Sequence, residues 1–194
     1  MKTYGVGAGS PHRMGANHTG DGADFAVFSE NASWIDLCLF SPDGTQETTR
    51  IALPEKTGPV WHGHVPGLPI GTLYGYRANG SYAPEQGHRF NHNKLLLDPY
   101  TRELHGGWKQ SPAVLGYVDG KAVNDLSFST IDSAPFVAKS VVSDPVIFTK
   151  IDRTGAPENV SDLIYEAHVK ALPKNAAMSL NSCAAPMTAS PVTR

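Results

Sequence analysis

The sequence predicts a mainly β chain, an immunoglobulin-like β-sandwich, on three observations. Short segments rich in branched and aromatic residues recur along it, one of them alternates cleanly between apolar and polar positions, and its 19 glycines and 15 prolines fall between the segments as punctuation. Several short strands at near-regular intervals with turn residues between them are the pattern of a sandwich. The 194 residues, 40% hydrophobic and 18% charged, suffice for one domain or for one domain and part of a second.

The first expected strand is Asp24 to Phe28, preceded by the turn formers Gly20, Asp21 and Gly22. Trp34 to Phe40 follows, with Ile35, Leu37 and Leu39 on one face because side chains alternate along a strand. Ser41-Pro42-Asp43-Gly44 then predicts a hairpin turn, since proline presets φ and glycine tolerates positive φ. Further strands are expected over Thr48 to Leu53, Val60 to Val65 and Leu73 to Ala78, the last introduced by Pro69-Ile70-Gly71. From Asp98 to Pro135 the periodicity weakens into ordered loop and short pieces, and branched runs return at Lys139 to Asp144 and Val146 to Ile151. Thr154 to Asn159 reads as a linker. Leu163 to Val169 reads as a buried strand, although periodicity alone leaves a helix turn open. The small-residue stretch Pro173 to Arg194 is expected to be disordered, having too few large apolar groups to offset the entropy of ordering. The division expected is a sandwich over 1–110, a connecting segment over 111–160, a separate strand over 161–172 and a tail over 173–194.

Composition excludes several function classes. A net charge of −2 offers no basic surface for phosphates, which argues against nucleic acid as a partner. No apolar run approaches the roughly 18 residues that span a bilayer and the N-terminal residues lack a signal-peptide core, so no membrane association and a cytoplasmic location are expected. Two cysteines, Cys38 in an apolar strand and Cys183 in the tail, are too few for a disulfide framework, and Cys38 is expected to be a buried thiol. Gly5-Val6-Gly7-Ala8-Gly9 lacks the flanking strand, helix and Lys-Ser/Thr ending of a phosphate-binding loop.

The order of motifs carries a family resemblance. Trp61-His62-Gly63-His64-Val65-Pro66-Gly67 and Gly71-Thr72-Leu73-Tyr74-Gly75-Tyr76-Arg77-Ala78-Asn79-Gly80 resemble the N-terminal sandwich, a carbohydrate-binding module, of bacterial glycogen debranching enzymes and isoamylases. Gly87 to Tyr100 resembles that family's GHRFNPNKLLLDPYA signature, with His92 where proline is usual and Thr101 where alanine is usual. Asp21 to Phe25 with Phe28-Ser29 resembles its opening strand, and Asp125 to Phe128, Asp132 to Pro135 and Lys139 to Val142 resemble its connecting segment. Ile164 to Lys170 is similar to the first strand of its catalytic (β/α)₈ barrel, and the likeness stops after Lys170. It implies hydrolysis of α-1,6 branch points in glycogen breakdown by carboxylates on later barrel strands. The expectation is therefore a truncated homologue, inactive by itself, with glycogen or another branched α-glucan as partner; the alternative is a stand-alone α-glucan-binding module.

Retaining glycoside hydrolysis needs two carboxyl groups about 5 Å apart. Asp36, Asp98, Asp144, Asp162 and Glu166 lie nearest to expected strands, and no two of them form such a motif, so no catalytic residue is assigned. No cofactor and no metal is assigned: His62 and His64 share a strand face and could be grouped with His88 and His92, but hydrogen bonding by half-exposed histidines accounts for them better. Core packing is the stronger reading for Trp61, Tyr74 and Tyr76. Trp34 and Trp108 are the candidates for stacking on glucose rings. Arg89 and Asp98 are expected to pair in a loop that orients domains.

Overall fold

A computed structural model describes residues 4–120 and 124–144. In chain order, β1 (Gly15–His18), β2 (Gly22–Phe28), β3 (Trp34–Phe40), β4 (Glu47–Ala52), β5 (Glu55–Thr57), β6 (Val60–Pro66) and β7 (Leu73–Asn79) build most of it. They are joined by the two-residue strands β8 (Tyr82–Ala83), β9 (His88–Arg89) and β10 (Leu104–His105), and by β11 (Lys139–Val141). One antiparallel sheet runs β1-β2-β6-β5 and the other β10-β11-β7-β3-β4. The sandwich read from the sequence is therefore the fold. The expected strand over Leu163 to Val169, the run Val146 to Ile151, the linker and the tail lie outside the described residues.

Alternation sorts the faces. On β2, Ala23, Phe25 and Val27 turn inward, and on β3, Ile35, Leu37 and Leu39 meet them; with Val65, Tyr74, Tyr76 and Ala78 they form the main core. Each fully buried Phe or Leu here contributes about 2 kcal/mol. The opposite face of β3 is not left to water. Cys38 and Phe40 join Leu73, Leu95, Ala134 and Val141 in a second apolar cluster, supplied partly by the chain beyond residue 90. Both faces of the second sheet are thus covered, which is why β7 is buried along its whole length.

The edge of β7 is shared. Ser140 and Val141 pair with Tyr74 and Leu73 at one end, while Leu96 exchanges both backbone bonds with Tyr76 at 2.8 and 2.9 Å at the other. Gly75 lies between these two pairings, and a methyl group there would come within 3.0 Å of the Leu96 carbonyl oxygen and 2.9 Å of Leu95. Glycine is the residue that lets the segment lie this close.

The Ser41–Gly44 turn joins β3 to β4 as the sequence predicts, with Gly44 at φ 72° and Gly44 N donating to Ser41 O at 2.8 Å. Five strands escaped the sequence reading: β1, whose Gly-Ala-Asn-His offers no branched residue, the exposed three-residue β5, and the two-residue β8, β9 and β10. Lys139–Val141, read as a branched run within the connecting segment, is a strand of the second sheet.

Candidate functional site

The segment from Gly87 to Tyr100 is bonded to the structure at almost every second residue. Arg89 Nη1 donates to Asp125 O at 2.7 Å and Nη2 to its Oδ2 at 3.0 Å. Asn91 Nδ2 donates to Ser129 O at 2.8 Å, and its Oδ1 accepts from Asn93 N at 3.0 Å. Leu95 N donates to Ser133 Oγ at 2.8 Å. Lys94, 7% exposed, sends Nζ to Ala113 O at 2.8 Å, Ser129 Oγ at 3.0 Å and Ile131 O at 2.7 Å. Burial holds this ammonium below the usual lysine value. Lys139 repeats the device on Ala134 O and Val137 O, both at 2.6 Å, with its Nζ 5.0 Å from the centre of the Phe40 ring.

Asp98 corrects the expected Arg89–Asp98 pair. Arg89 is taken by Asp125, whereas Asp98 is buried and accepts Tyr74 OH at 2.7 Å, Tyr76 OH at 3.4 Å and Tyr100 N at 2.8 Å. Burial raises its pKa against the lowering effect of those donors. Arg77 holds the facing layer: it is fully buried, donates to Glu47 Oε2 from Nε at 3.1 Å and Nη2 at 2.8 Å, to both oxygens of Asp132 at 2.9 and 3.0 Å, and to His92 O at 3.0 Å.

This segment walls a cleft of about 590 Å³ at the ends of β2 and β3, lined by Phe28, Ile35, Phe90, Leu96 and Leu97 with Arg89 at its side. Of its lining, Phe28, Leu96 and Leu97 leave apolar surface exposed. A second cleft of about 620 Å³ lies between Tyr4, Phe40 and the 69–73 turn. A third, of about 320 Å³, lies between the 43–45 turn, His105 to Gly107, Lys109 and Lys139. Among the described residues, no carboxylate stands in the walls of the first two and Asp43 is the one in the third. Asp43 is held down to about 2 by Ser41 and Thr45, which donate to it within the turn.

The remaining sequence candidates separate clearly. Tyr74 and Tyr76 are core residues, and Trp61 packs against the core with its indole N–H on Ser29 O at 3.0 Å and Lys56 Nζ 4.9 Å from the ring centre. His62 Nδ1 donates to Ala8 O at 2.6 Å, which leaves Nε2 to accept from Thr57 Oγ1 at 2.9 Å. His64 Nδ1 donates to Asp24 Oδ1 at 2.8 Å. Among the described residues no three His, Cys, Asp or Glu side chains converge to hold a metal. Asp36 accepts from Asn79 at 3.4 Å and lies on a different strand face from the tyrosines over Asp98. Asp162 and Glu166 lie outside the described residues.

Trp34 is 50% exposed and Trp108 65%. The structure does not bring them together. Trp34 begins β3, while Trp108 follows His105, which abuts Gly44 in the turn after the other end of that strand. Six steps of about 3.3 Å each place the two ends of β3 about 20 Å apart. Sequence reasoning missed Arg77, Lys94 and Asp132; the one available signal was the unusual density of charged and amide side chains inside an otherwise apolar motif.

Comparison with known proteins shows what this architecture is similar to. Residues 13–101 match carbohydrate-binding module 48, the isoamylase N-terminal domain. The chain is related to glycogen debranching enzymes: it is 39% identical over 165 residues to a protein of that name from Yersinia enterocolitica, covering 85% of this chain and 24% of the relative. It is 38% identical over 168 residues to the glycogen operon protein GlgX homolog of Mycobacterium bovis, covering 86% of this chain and 23% of the relative. The chain thus spans about a quarter of the length of the curated relatives it matches. Among solved structures, the catalytic module of the glycogen-degrading pneumococcal virulence factor SpuA is similar at 16% identity and a TM-score of 0.48, covering 72% of this chain and 17% of that one. In the relatives, as here, the likeness runs past the module into the segment that carries Asp125, Asp132 and β11. Among the described residues no helix is long and apolar enough to cross a membrane.

Proposed function

We propose that this chain is the non-catalytic, α-glucan-handling sandwich of cytoplasmic glycogen debranching, which holds branched glucan beside a hydrolase barrel and cleaves nothing itself. The observation that carries the reading is the chemistry of the three clefts. Hydrolysis of a glycosidic bond by a retaining or inverting route needs two carboxyl groups facing one another across the bond. Among the described residues, two of these clefts have none and the third has one, already taken by hydroxyl and amide donors of its own turn.

The exposed apolar group Phe28, Leu96 and Leu97 supports the second half of the reading. Surface of this kind, gathered at one rim, is what a neighbouring domain covers. Relatedness to debranching enzymes over 85% of the chain supports the choice of glucan. The alternative, a free-standing α-glucan-binding module, is favoured by the two closed apolar clusters, which give the described residues a core of their own. Affinity electrophoresis tests the shared part of both: the 194-residue protein is expected to migrate more slowly in gels containing glycogen than in gels without it, and unretarded migration would overturn glucan handling.

A further inference from the structure

We infer that the third cleft, between the 43–45 turn and residues 105–109, is a binding site for a small phosphate monoester, a phosphate group carried on a sugar-sized body. The inference is independent of the glucan-handling reading and turns on charge.

Three basic side chains line this cleft: His105, Lys109 and Lys139. His105 and Lys139 are directly opposed in the antiparallel pairing of β10 and β11, and opposed residues of such a pair send their side chains to the same face of the sheet. Lys109 is anchored by its backbone N–H, which donates to Phe136 O at 2.8 Å. Gly106 and Gly107 join His105 to Lys109, and Gly106 takes φ 78°, where glycine is the residue that fits.

The fold leaves the charge of this group unanswered. Lys139 is 5% exposed, and among the described residues its three N–H bonds have two acceptors, Ala134 O and Val137 O; buried Lys94 has three. The Phe40 ring, 5.0 Å from Nζ of Lys139, offers a π face and no lone pair. Among the described residues no carboxylate lies within ion-pair distance of Lys109 or Lys139. Asp132, the carboxylate that acts on Lys139, is bidentate to Arg77, and Asp43 in the cleft wall accepts from Ser41 and Thr45 of its own turn. Burial first, with Lys109 adding to it against the pull of Asp132, holds the Lys139 ammonium below the usual lysine value. A dianion in the cleft would answer both ammoniums at once.

A phosphate monoester carries close to two negative charges at neutral pH and presents three strong acceptor oxygens. Lys109, Lys139 and His105 offer a donor for each of them, whereas a carboxylate has fewer oxygens and less charge. The net charge of −2 excludes a broad basic face for a polyanion, but not three basic side chains gathered on one small cleft. Thr45, Pro135 and Val137 make an uncharged remainder of the wall. The volume of about 320 Å³ lies at the small end of ligand clefts, about 300–1,000 Å³, which limits the body of the ester to about one sugar ring.

The test titrates the intact, isotope-labelled 194-residue protein with glucose phosphorylated on its primary hydroxyl, and separately with glucose and with inorganic phosphate, read by the backbone amide signals in NMR. The ester is expected to shift the signals of Gly106, Gly107 and Lys109 saturably, glucose not at all, and inorganic phosphate the same signals at weaker affinity. Lys109→Gln, which leaves the backbone bond to Phe136 in place, is expected to weaken binding by about tenfold. Asp43→Asn, which takes the carboxylate out of the wall, is expected to tighten it by about threefold. Opposite movements of affinity in the two variants are not what a general loss of folding produces. Absence of a saturable shift at those amides, glucose binding as tightly as its ester, or wild-type affinity in Lys109→Gln would overturn the site. Inorganic phosphate binding as tightly as the ester would overturn the sugar ester as its ligand. Retardation in glycogen gels is a separate readout, so failure of either reading leaves the other standing.

Discussion

Tyr74 and Asp98, twenty-four residues apart, are joined by a buried hydrogen bond of 2.7 Å between the phenol hydroxyl and Oδ2. The same oxygen also takes Tyr76 OH, so one carboxylate fastens the 87–100 segment to two aromatic residues of the central strand. Asp98→Ala strands two buried hydroxyls and the Tyr100 amide. The variant is expected to lose about 3 kcal/mol of unfolding free energy, measured by urea denaturation. A loss under about 1 kcal/mol would show that these groups find other partners.

Asp98 also gives a pH signature. Its carboxyl pKa is raised above 3.8 by burial, so its contribution to stability is fully present below pH 3.8 and is lost as pH rises through the higher folded value. Asp98→Asn cannot titrate. The stability of the wild type relative to this variant is expected to fall as pH rises from 3.8 towards neutrality; a difference that stays flat or rises over that range would contradict the assignment.

Lys94 should act as the latch of the outer layer. Lys94→Met keeps most of the volume and removes the donor shared by Ala113 O, Ser129 Oγ and Ile131 O. Amide exchange is expected to quicken by about tenfold or more over residues 113–131, and much less over β2 and β6 in the sheet that Lys94 does not reach. Uniform acceleration would place Lys94 in the global core instead.

The Arg77 fork is the comparable test on the facing side. A lysine at that position keeps the charge but cannot reach Glu47, Asp132 and His92 O together. Arg77→Lys is expected to cost about 2 kcal/mol in thermal or urea unfolding, and near-neutral behaviour would mean the fork is dispensable.

Cys38 is fully buried, and burial pushes its thiol up to about 12. It is expected to react with a thiol-specific disulfide reagent at pH 8 only at the rate of unfolding, with full reaction in denaturant. Reaction within seconds in native buffer would contradict the second core cluster. Because the folded value is raised from 9.0, the Cys38 contribution to stability is present below pH 9 and fades as pH climbs toward 12.

Strand alternation made the sandwich legible: Ile35, Leu37 and Leu39 fall inward because the period of two admits no other arrangement once β2 lies opposite. β1 was invisible because Gly15-Ala16-Asn17-His18 has no strand-forming side chains, and its place in the sheet comes from pairing with β2. The outer layer was hidden for a different reason. The carbonyls of Ala113, Ile131, Ala134 and Val137 are fastened by the buried cations of Lys94 and Lys139, and such bonds leave no periodicity to read. The same absence of pattern misdirected Arg89 toward Asp98, when its partner is Asp125, thirty-six residues on. For the tryptophans, the sequence separated Trp61 from Trp34 and Trp108, but only the structure shows that Trp34 begins β3 while the segment of Trp108 lies by the turn after the other end of that strand.

Reducing-end release from glycogen by the purified 194-residue protein tests the central claim most directly. The account predicts release no greater than a protein-free blank, even with glycogen retained by the protein in the same sample. Release that grows with time and with protein concentration would contradict it.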